Sequence, residues 1–142
     1  MGIFDLKSKE IDQKRLRNGF YSLITMSLEQ ASKELPFEIS AKIFQLCQQF
    51  CEDTGGEEAK HRFISRFCNH VVPKFFRQII FGTGYHNIGP IESKEELNSI
   101  LLEFERTFGK WCKTPSLEEI KKSCIRSEKF EEYRDKIERI FG

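Results

Sequence analysis

Residues His61–Phe81 read HRFISRFCNHVVPKFFRQIIF. Phe63, Phe67 and Val71 recur every four residues, and beyond Pro73 the pairs Phe75–Ile79 and Phe76–Ile80 do the same on adjacent rows. A step of four keeps side chains on one face of an α-helix, whereas a strand would alternate them. The spacing predicts a helix from about Glu57 to His70 with its phenylalanines and His70 inward, then a short helix over Lys74–Phe81. Between them Val72 is a boundary or kink, because a proline disfavours helical backbone in the residue before it. Two apolar rows give the short helix a wide buried face, as suits a segment near the middle of a domain.

The same periodicity extends upstream. Leu16, Phe20, Leu23, Ile24, Leu28, Ala31 and Leu35 mark a long helix ending at Leu35-Pro36. Phe37 to about Glu52 follows, with Ile39, Ile43, Leu46, Cys47 and Phe50 on the side expected to face the core, and stops at Gly55-Gly56.

Downstream, Gly82 to Pro90 is the longest loop. Ser93-Lys-Glu-Glu96 is a capping box, with Glu96 expected to reach back to the cap, and it opens a helix carrying Leu97, Ile100, Leu101, Phe104, Phe108 and Trp111. Ser116 and Glu119 form a second box, with Ile120 and Cys124 inward. A last helix, Glu128 to Phe141, shows Phe130, Tyr133, Ile137 and Ile140 on one stripe. Glu132–Lys136 and Asp135–Arg139, at i, i+4, decorate what reads as a solvated face.

No segment alternates long enough for a strand, and there is no internal repeat or linker. A chain of 142 residues has the size of one ordinary domain, which buries roughly 68–70% of its unfolded surface. The expectation is an all-α fold, one compact domain over 1–142 of six to seven helices, packed orthogonally or in the manner of a globin.

Charge is unevenly distributed. Met1–Glu58 has seven Lys/Arg against ten Asp/Glu, Ala59–Ile91 five against none, and Glu92–Gly142 eleven against twelve. The 33-residue acid-free window holds all three histidines and five of the fourteen phenylalanines. Such a window creates a local positive field that suits an acidic partner. Helical phase sends Arg62, Arg66 and Asn69 to one outward stripe opposite the phenylalanines. Lys74 and Arg77 follow beyond the kink, and Tyr85 and His86 stand in the loop. These seven residues are the candidate binding surface, since Arg and Tyr carry contact energy at small entropic cost.

The five cysteines are odd in number and irregularly spaced, so they make no disulfide framework, and Asp5 interrupts any secretory pattern. A reducing, cytoplasmic setting is expected. The longest uncharged run, Gln78–Ile91, has 14 residues, too few to span a bilayer, so no membrane partner is expected.

Chemical motifs are sparse. Cys47, Cys51, His61, Cys68 and His70 suggest a zinc site, but His61 and Cys68 would stand about 10.5 Å apart along one helix, too far for both to reach one ion at ~2.0–2.3 Å. The cysteines read instead as small buried hydrophobes. Gly82-Thr-Gly84 follows a helix and not a strand, so it reads as a helix cap and turn, not a phosphate loop. No catalytic set converges, and neither metal nor cofactor is expected.

Arg66-Phe-Cys-Asn-His70 resembles the Arg–His pair of the all-helical HEPN nucleases, but its three intervening residues are fewer than that family's spacing, so no catalytic role carries over. The C-terminal half, "YHNIGP", then a capped helix ending "FGKW", then "TP" and two more helices, is similar to the end of a globin. That resemblance implies His86 as a proximal haem ligand, although Gly82 and Gly84 fall where its helix would run. Three functions are therefore ranked. The first is a non-enzymatic helical module that binds another protein with an acidic surface, as adaptor, inhibitor or small subunit. The second is a nucleic-acid-binding accessory subunit whose cations contact phosphates while Tyr85 stacks on a base. The third is a globin-like ligand or haem sensor.

Overall fold

The computed structural model describes residues 19–82, 88 and 90–142, and among these it is mostly helical with no strand. Residues 19–34 form α1, which stops short of Pro36 as the sequence predicts. α2 is Phe37–Arg66, α3 Val72–Phe81, α4 Lys94–Phe108, α5 Leu117–Ile125 and α6 Arg134–Phe141. No helix among them is long and apolar enough to cross a membrane.

α2 is broken at Gly56, whose φ of 77° and ψ of −167° are non-helical. The two helices expected on either side of Gly55-Gly56 thus survive as two limbs of one element. A positive φ is open to glycine at little cost because it has no Cβ to clash. Phe44 of the first limb and Phe63 of the second meet with ring centroids 5.1 Å apart, and Phe44 also packs on Phe67, Phe108 and Trp111.

The first limb corrects one expectation. Of the five residues expected to face the core, Ile43 and Cys47 are half-buried against it but Ile39, Leu46 and Phe50 are exposed, while Phe44, Cys51, Ala41, Ser40 and Gln48 are buried. This limb is apolar on two sides, and counting hydrophobic residues selects the richer stripe. Burial follows the other, where the large Phe44 ring joins the aromatic core.

Phe67–Val71 is a π-helical turn that runs into α3. Pro73, in the first turn of α3, has no N–H, and in a continuous α-helix its ring would clash with the carbonyl of Asn69. The wider turn relieves that clash, so the predicted kink takes the form of a bulge. It also absorbs one extra residue and rotates the side chains around it. His70, expected inward with Phe63 and Phe67, is therefore exposed, while Val71 is buried.

Phe75, Phe76, Ile79 and Ile80 are all buried, as expected of the central helix. Phe76 meets Phe104 edge-on at 5.4 Å. α3 ends at Gly82, whose left-handed φ of 75° lets its N–H reach the carbonyl of Gln78. Beyond the loop the Ile91 amide returns to the Ile79 carbonyl at 3.0 Å.

Both serine caps form. Ser93 Oγ accepts from the Glu96 amide at 3.2 Å and Ser116 Oγ from the Glu119 amide at 3.1 Å. Glu96 Oε2, however, accepts from the amide of Glu92 at 3.1 Å, one residue before the cap. The final helix is shorter than expected, because residues 128–133 are turns. Lys136 and Arg139 pair not along α6 but with Glu92, at 3.5 and 3.6 Å, so the face read as solvated ties α6 to the start of α4.

Candidate functional site

The expected basic surface divides into two concavities. The first, of about 600 Å³, lies between α1 and the second limb of α2 and contains Arg62, Arg66 and Asn69 together with His61, His70 and Tyr21. Helical phase accounts for the three expected residues, and the π-helical turn adds His70. Its charge is cancelled at Arg62 but not at Arg66, which has no carboxylate partner among the described residues. Arg62 reaches Glu58 at 2.9 Å, and His61 Nε2 lies 3.9 Å from Glu57. Both acids stand just outside the acid-free window, one helical turn upstream, where i, i+4 pairs meet. Arg66 donates to Ser22 Oγ at 3.2 Å and Asn69 to Ser65 Oγ at 3.2 Å.

The second concavity, of about 380 Å³, lies between α3 and the α5–α6 connection and brings Lys74 and Arg77 to Arg126 and Lys129. Lys74 is paired with Glu29 of α1 at 2.6 Å. Arg77, Arg126 and Lys129 have no carboxylate partner among the described residues. Glu128 is the acid among the lining residues. Phe81 forms part of the wall and stacks on Tyr133, centroids 4.8 Å apart. Gln78 contributes a buried Oε1 with no hydrogen-bond partner, an acceptor left for a donor.

Position explains why this cleft is basic. Arg77 points from α3 toward α5, where burial pushes the Cys124 thiol up to about 12 against the opposing pull of the Arg77 guanidinium. Arg126 caps the C-terminus of α5, whose orphan carbonyls favour a cation. Sequence reasoning missed Arg126 and Lys129 because Glu128, Glu131 and Glu132 stand among them and no run of like charge shows. The available signal is that Arg126 directly follows a helix whose inward residues, Ile120 and Cys124, face the core.

Tyr85 and His86 lie outside the described residues, and so does the geometry of their loop. Among the described residues no three His, Cys, Asp or Glu side chains gather around a point that could hold an ion. Cys47, Cys51, Cys68, Cys112 and Cys124 are free thiols, three of them buried and two half-buried. Cys68 Sγ lies 3.8 Å from the carbonyl oxygen of Trp111. The thiol of Cys112 hydrogen-bonds to Cys68 and holds it below the usual thiol range, and the same contact together with burial holds Cys112 well above it.

The arrangement suits an anion, since it offers fixed positive charge beside an aromatic wall. No protein-family model matches this chain, and no curated protein or solved structure matches it either.

Proposed function

We propose that this chain is a non-enzymatic helical interaction module that binds an acidic segment of another protein in the cleft between α3 and the α5–α6 connection. The observation that carries the reading is that Arg77, Arg126 and Lys129 surround one concavity without a carboxylate partner among the described residues. An extended acidic segment supplies what the cleft lacks. Its carboxylates neutralise the three cations. Arginine favours this use because its planar donors match a carboxylate two at a time. A reducing, cytoplasmic setting accompanies the proposal and is supported by the five free thiols.

The test is a fluorescence-anisotropy titration of a labelled Asp/Glu-rich peptide, with a neutral peptide and a single-stranded RNA as comparators. Binding of the acidic peptide that weakens with salt, and is lost in Arg126→Glu/Lys129→Glu, is the expected result. If RNA binds with a steep salt slope and the peptide does not, the cleft serves phosphates and the module is a nucleic-acid subunit. Equal binding of the neutral and acidic peptides would remove the electrostatic basis of the proposal.

A further inference from the structure

The first limb of α2 has a second apolar stripe that the fold leaves largely exposed. Ile39, Leu46 and Phe50 recur at steps of seven and four on the side away from Phe44, with Ile43 at the inner edge of the row packed against the core. Leu46 is 70% exposed, Ile39 45% and Phe50 43%. The Phe20 ring, 6.0 Å from that of Phe50, carries the stripe onto α1, where Leu23 is 59% exposed. Single exposed apolar residues are ordinary, but a run of them along one helix face that continues onto a neighbour marks a contact surface.

Charge along the edge of the stripe identifies what covers it. Lys42 and Asp53 are eleven residues apart, three helical turns, so they lie on one line beside the apolar row, one toward each end. Lys42 has no ion pair among the described residues, and Asp53 has only a neutral bond from Gln49 Nε2, at 2.9 Å. A row with a cation near one end and an anion near the other complements its own reversed copy.

We propose that a second copy of this chain covers the stripe, the two first limbs of α2 running antiparallel about a two-fold axis near Leu46. The axis relating antiparallel helices in contact runs between them, perpendicular to the plane that contains both, so it exchanges the helices and reverses their direction but keeps each edge against the same edge. Lys42 of each copy then meets Asp53 of the other, Ile39 and Phe50 approach from opposite copies, and Phe20 widens the contact at both ends. Such an isologous interface uses one patch twice, which a single sequence can supply without any foreign partner. It is independent of the basic cleft, which is built from α3 and the α5–α6 connection.

Sedimentation equilibrium over a range of concentrations tests it. The wild type should reach twice the chain mass of 16.8 kDa, and Leu46→Glu should run as a single chain with its helical circular dichroism retained. Lys42→Glu and Asp53→Lys exchange exposed charges and spare folding. Each alone should weaken association at least tenfold, and the double exchange Lys42→Glu/Asp53→Lys should restore it. A wild type that stays at one chain mass at high concentration overturns the proposal, whether residues 1–18 or a foreign partner covers the stripe. A dimer indifferent to Leu46→Glu, or a double exchange that fails to restore association, places the interface elsewhere and overturns it equally.

Discussion

Phe44 and Phe63 meet across the break in α2 with tilted rings, their centroids 5.1 Å apart, so the two limbs of one helix are each other's packing partners. The break itself is therefore under load. A Cβ at Gly56 would meet nothing, but the residue would have to hold φ at 77°. A Cβ at Gly55 would come within 2.6 Å of both Ala59 Cβ and the Tyr21 hydroxyl. Gly56→Ala should cost about 1–3 kcal/mol, because its φ of 77° with ψ of −167° is a conformation essentially reserved for glycine, and Gly55→Ala about 1–3 kcal/mol for overpacking. Urea denaturation midpoints read both. A near-neutral Gly55→Ala would mean that Tyr21 of α1 and Ala59 do not close on the break.

The Phe44 ring is fully buried and touches four other aromatic residues. Phe44→Ala should cost roughly 3–5 kcal/mol, the usual sum of lost transfer energy and cavity, enough to leave much of a domain of ordinary stability unfolded at room temperature. Phe76→Ala, 1% exposed in the wild type, should fall in the same range. A near-neutral shift of the denaturation midpoint for either would require a different core.

Arg62 is exposed and paired with Glu58 along one helix. Arg62→Glu should therefore cost no more than about 1 kcal/mol, the lost solvated i, i+4 pair plus the new like-charge pair with Glu58. It should also weaken binding of an acidic peptide far less than Arg126→Glu does, because Arg62 already has its counter-charge. The comparison is made by thermal melts and anisotropy side by side. Equal losses of binding at the two positions would mean that both concavities contribute.

The thiol chemistry should be unequal. Cys68 is held below the usual thiol range by its hydrogen bond from Cys112, whereas burial pushes Cys124 up to about 12. A lowered value means that thiolate is present at lower pH. Native alkylation by iodoacetamide should thus begin at Cys68, with its rate rising at a pH below that of a simple thiol, and Cys124 should react only on unfolding. Cys112→Ala removes the donor and should move the Cys68 rate profile to higher pH. Peptide mapping by mass spectrometry after short exposures reads both effects.

The helical class was legible because period-four spacing is a property of neighbours, and neighbours are what a sequence shows. Phe75, Phe76, Ile79 and Ile80 took their expected places for that reason. The inner face of α2 was not legible, since both of its sides carry apolar residues and only the position of Phe108 and Trp111 decides between them. Charge behaved similarly. The acid-free window is real in the sequence, but Glu58 and Glu29 reach into it from outside, one by a helical turn and one across the fold. Arg126 and Lys129 join Arg77 from residues some fifty positions away, and no local pattern records such a meeting.

The π-helical turn at Phe67–Val71 is in effect one residue spliced into a helix. Insertions and deletions inside a helix usually swing everything beyond them by about 100° per residue, which here would turn the core face of α3 toward solvent. This turn already holds the surplus residue. A shortening by one position within it converts it to ordinary helix and leaves Phe76 and Arg77 facing nearly the same directions as before. What resists the shortening is Pro73, which would then have to sit against a carbonyl one turn back. The segment is a seam where chain length can change while the orientation of the core and the cleft is kept, and a proline holds it at its present length.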